Sequence, residues 1–404
     1  MTRRGRLALA LGAAVYVGAW AFGSTSLYPV AAGLLLAVAV AAVAVHLSAR
    51  PLAYRRFAGS GEHLEGDRVE VAVELELPHR PSVLVSAVVL ERLSRLGEHR
   101  IPLRRQGRLL RGRYTVRSVP RGRYTLDEAQ ALVQDPFGLE HASAPLPGGA
   151  ALLVFPRLVE LDELFSESGA QAHEGRRLLL RRPTGFDLHS VREYEEGESL
   201  RKVHWRTTAR RGQLMVKELQ DEPRDEVAVL LDADAASVAG PRGSSSFDAQ
   251  VRAAGSILRA QVWRGRRAVL AVNSIVQESQ RVHSPAADWR RALELLAAAE
   301  PTGKTPLTAM LLDDSGPAGR AQELVVVTAK LAPKLVARLV QRALGHRRVS
   351  VVYVDAPTFA GGRPTREPGL LRLQGVGIPV AVVRRGDDLA EALAGAARSE
   401  AAVG

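Results

Sequence analysis

Two uncharged apolar stretches close to the N-terminus restrict what this chain can fold into more than any other feature. Leu7–Gly23 and Tyr28–Leu47 contain no charged residue, and the second is about 20 residues long, which is the length that crosses a bilayer as a helix. The first, of about 17 residues, is at the short limit for a span. Only Ser24–Leu27 connects them. The sequence therefore predicts a tight pair of transmembrane helices within residues 1–50.

The arginines around these stretches predict their orientation. They flank both outer ends, and none lies in the connecting turn: Arg3, Arg4, Arg6, Arg50, Arg55 and Arg56. Because basic residues stay on the cytoplasmic side, we expect both ends in the cytoplasm. This predicts a multi-pass protein of the cell membrane whose soluble domains face the cytoplasm. A cleaved signal peptide is the alternative for the first stretch, since a basic start before an apolar core is also the signal pattern.

Composition excludes several classes of function. The net charge is +12, but the six flanking arginines supply half of that excess, with no acid among residues 1–56. The remaining excess is mild, and no stretch interleaves aromatic and basic residues as RNA-binding modules do, so nucleic-acid binding is not expected. The chain has no cysteine, which excludes disulfides, thiolate metal sites and a cysteine nucleophile.

Residues 51–150 have the pattern of a β-rich module. Asp67–Pro78 alternates apolar and charged residues with a period of two, as a half-buried strand does. Arg111–Leu126 contains the sequence RGRYT twice, ten residues apart, and we interpret the copies as two strands separated by a proline turn. Strand spacing of about 8–12 residues is typical of an antiparallel sandwich. We therefore predict a small immunoglobulin-like β-sandwich.

Residues 225–404 alternate apolar strands with amphipathic helices. The strand patterns include Glu226–Asp234 and Glu323–Ala329, and a helix follows Ser246, which we expect to be its N-cap. Such alternation predicts a doubly wound parallel sheet. Ligands of these sheets bind at the carboxyl ends of the strands, and Asp232 and Asp234 lie at one such end.

Between these domains, residues 151–224 form a densely charged segment. A helix is expected between Ser199 as N-cap and Gly212 just after its end. Acids precede it and basic residues fill it, which suggests a partly buried ion network around Trp205. In that interpretation arginines hold the segment against the next domain through ion pairs, since the planar guanidinium group suits pairing with carboxylates.

Two other interpretations of the charged segment remain open. The first is a docking surface for a partner protein. The second is a catalytic role for His189 or His204 with Glu193, which would need a nucleophile or a substrate pocket that the sequence does not identify.

Several motifs occur in order along this segment: GFD, REYEEGE, RKVHW, AR and LMVKE, within residues 185–218. Together with the RGRYTL and DPFGL sequences and the N-terminal hairpin before them, they resemble the domain of unknown function 58 family over nearly the whole chain. The residues that carry the signature are Arg192, Glu193, Tyr194, Gly197, Arg201, Trp205, Ala209 and Arg210. We expect them to act in interaction or structure rather than in catalysis.

The resemblance implies that residues 225–404 form a von Willebrand factor A-like domain. Such domains often carry a metal-ion-dependent adhesion site, built from an Asp-x-Ser-x-Ser loop, a threonine and a second aspartate. In this sequence Asp232 matches the first aspartate and Thr305 the threonine, whereas Asp234 and Ala236 replace the serines and Ala329 replaces the second aspartate.

On this ligand count no metal is expected, although two carboxylates and a hydroxyl could hold Mg²⁺ weakly. Without a metal, Asp232 would accept backbone N–H groups at the turn, and Asp234 would cap it or face solvent.

These features lead us to expect a membrane-anchored, cytosol-facing adaptor or scaffold without enzymatic activity. The resemblance further implies a protein partner, a MoxR-type AAA+ ATPase, and a role in assembling or maturing complexes. A metal-dependent adhesion or receptor module is the alternative, and a hydrolase using the charged segment is a third. No cofactor or small-molecule substrate is indicated.

Overall fold

A computed structural model describes residues 1–49, 53–58, 61–76, 85–107, 109–126, 128–147, 149–162, 164, 190–193, 205–218, 226–313 and 316–394. The chain divides into two compact units, Met1–Phe155 and Pro156–Gly404. Tyr194, Gly197 and Arg201 of the charged segment, and the expected N-cap Ser199, lie outside the described residues.

The described part of the first unit begins with two helices and continues with short strands. These elements are α1 (Arg3–Ala21), α2 (Leu27–Ser48), β1 (Ala53–Ala58), β2 (His63–Leu64), β3 (Val69–Glu76), β4 (Ser86–Leu93), β5 (Gly97–Pro102), β6 (Arg104–Gln106), β7 (Leu109–Val116), β8 (Gly122–Leu126), β9 (Glu128–Gln134), β10 (His141–Leu146) and β11 (Ala150–Phe155).

The two helices pack against each other, and the rings of Tyr16 and Tyr28 meet edge to face with centroids 5.5 Å apart. Within the described residues, α2 alone is long and apolar enough to cross a membrane, with a mean hydropathy of 2.5. Three arginines in the first turn of α1 lower its hydropathy. The prediction of two spans is therefore confirmed only in coarser form: one N-terminal helix could span a membrane or belong to a signal sequence.

The strands of the first unit form three sheets around one apolar core. Their orders are β1-β3-β7-β6, β10-β9-β4-β5 and β2-β11-β8. Val69, Val71, Val73 and Leu75 are buried at alternate positions of β3, as the period-two pattern predicted. The two RGRYT copies enter different sheets, because β7 pairs with β3 and β8 pairs with β11.

The second unit contains a small hairpin and one large sheet. Its described elements are β12 (Ser190–Glu193), α3 (Trp205–Arg211), β13 (Met215–Glu218), β14 (Glu226–Leu231), α4 (Ser246–Trp263), β15 (Arg267–Val272), β16 (Ser279–Val282), α5 (Trp289–Ala298), α6 (Leu307–Leu312), α7 (Pro317–Arg320), β17 (Glu323–Thr328), α8 (Pro333–Leu344), β18 (Arg348–Val354), α9 (Ala356–Phe359), α10 (Pro368–Gly375), β19 (Val380–Val383) and α11 (Leu389–Ala394).

The large sheet has the order β16-β15-β14-β17-β18-β19. Five of its strands are parallel, as expected, but β16 runs antiparallel to β15 at the edge. This departs from the wholly parallel sheet predicted from the sequence. The reason is that only Asn273–Glu278 connects β15 to β16, and a turn this short can join only antiparallel neighbours.

Helices cover both faces of this sheet. Val227, Val229 and Leu231 of β14 pack with α4, α5 and α11 on one face. Ala228 and Leu230 pack with α6, α8 and α10 on the other. Because both faces are buried, the strands have continuous apolar sequences rather than alternating ones.

Two helix ends can be compared with their predicted caps. Ser245, rather than Ser246, is the N-cap of α4: its hydroxyl accepts the Asp248 amide, and the Asp248 carboxylate accepts the Ser245 amide, a reciprocal capping box. Ser246 is instead the first residue of the helix. Gly212 follows α3 with a φ of +69°, and its amide donates to the Thr208 carbonyl, as expected for a C-terminal glycine.

Candidate functional site

The carboxyl edge of the large sheet gathers polar side chains from strands that are distant in sequence. Asp232 follows β14, Asn273 follows β15, and Thr328 is the last residue of β17. All three are buried. They lie at the same edge because the strands that carry them are parallel neighbours in register.

Asp232 is the centre of this group. Its Oδ2 accepts a hydrogen bond of 2.7 Å from the Thr328 hydroxyl. Its Oδ1 accepts longer bonds of 3.3 Å from the Asn273 side-chain amide and the Asp234 backbone amide. Burial raises the pKa of Asp232, and the hydrogen bonds from Thr328 and Asn273 oppose that rise. Its carboxylate is therefore held by donors of the protein itself.

The loop that contains Thr305 is fixed against this centre through its backbone. The Asn273 side-chain amide donates to the Thr305 carbonyl at 2.9 Å. Gly303 forms an isolated parallel bridge with Asp234, and its amide donates to the Ala233 carbonyl at 2.8 Å. The structure thus brings Thr305 to the edge where Asp232 lies, with its side chain exposed and its carbonyl engaged.

Asp234 caps a short 3-10 turn at Ala235–Ser237. Its Oδ1 accepts the Ala236 amide at 2.9 Å, and its Oδ2 lies 3.8 Å from the Lys330 ammonium. An ammonium group therefore faces this carboxylate from the loop after β17. Ser237 donates its hydroxyl to the Asp234 carbonyl and is engaged within the same turn.

These contacts bear on whether the group could hold a metal. Each oxygen of Asp232 accepts a protein donor, Ala236 and Ala329 contribute no side-chain oxygen, and Lys330 supplies positive charge beside Asp234. Within the part of the chain that the structure describes, no group of three or more His, Cys, Asp or Glu side chains could hold a metal ion. The donor set fits Mg²⁺ or Ca²⁺ poorly, because these ions take six or more oxygen ligands.

Exposed apolar side chains lie beside this polar centre. The turn between β15 and β16 presents Ile275 and Val276, whose exposed fractions are 63% and 75%. It follows directly after Asn273, and the Asn273 carbonyl contacts Gly303 of the neighbouring loop. Lys304 on that loop and Lys330 are also exposed. The rim of the site therefore combines an apolar tip with two ammonium groups.

Described residues 190–193 and 205–218 of the charged segment form the antiparallel strand pair β12 and β13 and helix α3. Arg192 and Glu193 lie on β12 opposite Val216 and Met215 of β13. On α3, Trp205, Ala209 and Arg210 are all exposed, the tryptophan to 65%. Most residues of the ion network expected around this tryptophan lie outside the described ones. His189, His204, Glu195, Glu196 and Glu198 lie outside the described residues.

Asn273 and Thr328 were not singled out from the sequence. The family pattern directed attention to Ala329, one position after the residue that contacts Asp232. A usable signal was present: both are polar residues that end an otherwise apolar strand pattern, VLAVN and LVVVT. In a parallel sheet, such residues meet at one edge.

Two comparisons with known proteins match parts of this chain. A family model described as "Protein of unknown function DUF58" matches residues 190–358, which include the β12–β13 hairpin and the sheet through β18. The uncharacterized protein YeaD of Bacillus subtilis (strain 168) is 26% identical over 246 residues, or 59% of this chain and 58% of that protein. The chain thus matches less than two thirds of the length of this relative.

Replacing Asp232 with asparagine is expected to change how stability depends on pH. A folded-state pKa above the unfolded value of about 3.9 means that the contribution of Asp232 is fully present below that value and is lost as pH rises through the folded pKa. The free energy of unfolding of the wild type, relative to Asp232→Asn, should therefore be larger at pH 4 than at pH 7.

Urea denaturation of both proteins across this pH range measures the difference. Asparagine is compatible with the site because the Thr328 hydroxyl, which also lies 3.1 Å from the Lys330 carbonyl, can turn to accept the new amide. If the free energies of unfolding of the two proteins changed equally with pH, a raised pKa of Asp232 would be contradicted.

Proposed function

We propose that this protein is a membrane-anchored, cytosol-facing adaptor without enzymatic activity, whose second unit binds another protein at the carboxyl edge of its large sheet. The observation that carries the proposal is the exposed apolar turn of Ile275 and Val276, beside a polar centre in which both carboxylate oxygens of Asp232 accept protein donors. Exposed aliphatic side chains next to charged groups are typical of protein interfaces rather than of catalytic centres.

The fold supports a von Willebrand factor A-like interpretation of this unit. The unit has a mostly parallel sheet with helices on both faces. Asp232 follows strand β14 of this sheet, at the position where such domains hold a metal. We propose that the metal has been lost here and that the binding edge remains. The ammonium of Lys330, 3.8 Å from Asp234, supplies positive charge that a bound cation would supply in a complete site.

A catalytic alternative lacks support in this edge. General acid–base or nucleophilic chemistry needs an activated group with a positioned partner and space for a substrate. Asp232 is buried and accepts protein donors at both oxygens, and Asp234 caps a turn. We therefore favour binding over catalysis for these residues.

We further propose that α1 and α2 together cross the membrane, with both outer ends in the cytoplasm. The hydropathy of α2 and the arginines at the start of α1 support this arrangement. By analogy with the family that the sequence resembles, the partner would be a MoxR-type AAA+ ATPase. The first unit would then be an immunoglobulin-like spacer, which is consistent with the hydrogen bond from the Tyr124 hydroxyl to the Pro120 carbonyl, a contact of the tyrosine-corner type.

Substituting both apolar residues of the β15–β16 turn, Ile275→Asp and Val276→Asp, is expected to weaken capture of the ATPase by about 10- to 100-fold, since interface anchors typically contribute 2 kcal/mol or more. The measurement is quantitative pull-down of the full chain from membranes under mild solubilisation with nucleotide. Leu344→Asp is the matched control. Leu344 is exposed at the end of α8, which precedes β18 and so lies at the opposite edge of the sheet.

If the double variant, the Leu344→Asp control and the wild type captured equal amounts of the ATPase, the carboxyl edge of the sheet would not be part of the interface. Failure to recover any AAA+ ATPase with the wild type would count against the partner class while leaving the edge to be tested with other captured proteins.

A further inference from the structure

The turn between β9 and β10 lies against the first turn of α1. The Thr2 backbone amide donates to the Leu139 carbonyl at 3.1 Å, and the Thr2 hydroxyl bonds to the Gly138 carbonyl at 2.5 Å. Gly5 packs so tightly here that a Cβ at its position would lie 2.1 Å from the Leu139 carbonyl oxygen. The start of the helical hairpin is thus seated directly on this turn.

The same turn also lies near the end of α2. Helix α2 contacts both β9 and β10, and Val45 in its last turns is buried in the core of the sandwich with Val133 of β9. The first turn of one helix and the last turn of the other therefore converge on a single turn of the sandwich.

The backbone of the turn is held rigidly by Asp135. One oxygen of this carboxylate accepts the Phe137 amide at 2.9 Å, and the other accepts the Glu140 amide at 2.6 Å. Gly138 adopts a φ of +67°, and its amide donates to the Asp135 carbonyl. These bonds fix Phe137 at the tip, where 71% of its surface is exposed.

The turn contains two carboxylates: that of Asp135 accepts backbone amides of the turn, and that of Glu140 pairs with the N-terminal ammonium. The arginines of α1 then make the net charge around the turn positive, which suits an anionic lipid surface. Arg3, Arg4 and Arg6 belong to the first turns of α1, and the Arg4 guanidinium lies beside Gly138. Basic residues beside an apolar face that carries Trp, Phe or Leu are typical of segments that lie at a bilayer interface, and arginine can extend its charged end toward the headgroups. Phe137 is thus fixed and exposed close to the arginines, where α1 begins and α2 ends. This position suits contact with the interfacial layer of a bilayer.

We propose that the β9–β10 turn is a membrane contact of the sandwich, in which Phe137 inserts into the interfacial layer and the arginines of α1 pair with anionic headgroups. This inference rests on the proposed anchoring of the chain through α1 and α2. It adds a third point at which the first unit contacts the bilayer, besides the two helices α1 and α2.

Because the chain has no cysteine, single cysteines can test this in the full-length protein. Phe137→Cys is labelled with bimane, a small uncharged fluorophore, and reconstituted in nanodiscs of phosphatidylcholine and phosphatidylglycerol. Glu98→Cys is the matched control, since Glu98 is exposed on β5 of the same sheet. Along β4, Gln134 pairs with Ser86 and Glu98 with Arg92, so the control lies roughly 20 Å further along the sheet.

The expected result is blue-shifted emission at position 137, quenching by doxyl-labelled lipids and protection from aqueous iodide, with the reverse at position 98. Equal iodide quenching at both positions, without lipid quenching, overturns the inference. Protection from iodide without lipid quenching also overturns it, because a second protein surface would then cover the turn.

Failure of the anchoring itself is separated by Ser24→Cys, which lies in the connection between the helices. In intact cells this cysteine should react with an impermeant maleimide from outside. If it does not, the proposed topology fails, whatever the fluorescence shows. If it reacts, and iodide quenches position 137 as strongly as position 98, the anchoring is supported and the proposed membrane contact of the turn is wrong.

Discussion

Replacing Arg56 with methionine is expected to destabilise the first unit by about 3–5 kcal/mol, because the change leaves a buried carboxylate without its partner. Arg56 pairs through Nε with Glu91, and the side chains are 6% and 0% exposed. The Tyr114 hydroxyl donates to the second oxygen of Glu91 at 2.6 Å. Removing the guanidinium leaves this buried carboxylate without a counter-charge, with the hydroxyls of Tyr54 and Tyr114 as its donors.

The ion pair also joins the three sheets described in the first unit. Arg56 lies on β1, Glu91 on β4, and the Arg56 guanidinium donates to the Leu126 carbonyl of β8 at 2.8 Å. The loss should therefore appear as increased hydrogen exchange in strands of more than one sheet. Hydrogen exchange is a suitable measurement because it reports on the sandwich separately from the second unit.

Two controls make the result interpretable. Arg111→Met breaks the exposed pair with Glu74, whose atoms are 2.6 Å apart, and should change stability by no more than about 1 kcal/mol. Replacing both partners, Arg56→Met with Glu91→Leu, should recover much of the loss, since an apolar pair avoids the unpaired charge. Equal effects of Arg56→Met and Arg111→Met would show that the buried pair has no special weight.

The tyrosines around Glu91 add a pH dependence at the alkaline end. Burial, followed by the charge of Glu91, raises the pKa of Tyr54 to about 12, and burial and the hydrogen bond to Glu91 raise the pKa of Tyr114 as well. A raised folded pKa gives stability that is fully present below the unfolded value of about 10 and is lost as pH rises through the folded one. The free energy of unfolding of the first unit should therefore fall steeply above pH 10.

Replacing Gly303 with alanine is expected to destabilise the second unit by about 3 kcal/mol or more, at the upper end for steric overpacking. A Cβ at this position would lie 2.2 Å from the Asn273 carbonyl oxygen and 2.9 Å from that of Ala233. Both are backbone atoms, and Gly303 is itself bonded to Ala233 and Ala235. Neither side can yield without moving the loops around Asp232.

Urea unfolding followed by tryptophan fluorescence measures this effect, since Trp263 and Trp289 pack together in the second unit. Gly375→Ala is the control: no atom lies within 4 Å of its added Cβ, so a change within about 0.5 kcal/mol is expected. A loss for Gly303→Ala as small as that for the control would mean that the loop is free to move, and that the edge is less rigid than its contacts indicate.

The strands and helices of the second unit were predictable because their signals are local. Continuous apolar runs marked β14, β15, β17 and β18 to within a few residues, since both faces of each strand are buried. Strand β16 was missed because it is short and its exposed positions are polar. The assortment of the sandwich strands into three sheets depends on pairing between distant segments, which no local pattern records.

The site was predictable only in part, for a related reason. Asp232 lies at the strand end where the sequence placed it, and Thr305 lies at the same edge. Thr328 was overlooked because the family pattern placed the ligand at Ala329, and a shift of one residue along a strand moves a side chain to the opposite direction. The ammonium of Lys330 could not be foreseen, since its proximity to Asp234 arises only in the folded loops.

The antiparallel strand β16 has a consequence for how copies of this protein meet. A chain anchored to a membrane, as we propose here, encounters its copies in two dimensions and at high local concentration, where an open sheet edge would invite strand-to-strand association. β16 is four residues long, and its Arg281 pairs with Glu226 across the sheet at 3.4 Å. Short, charged edge strands resist such pairing. The β16 edge is therefore a poor template for strand-to-strand association between copies of the chain.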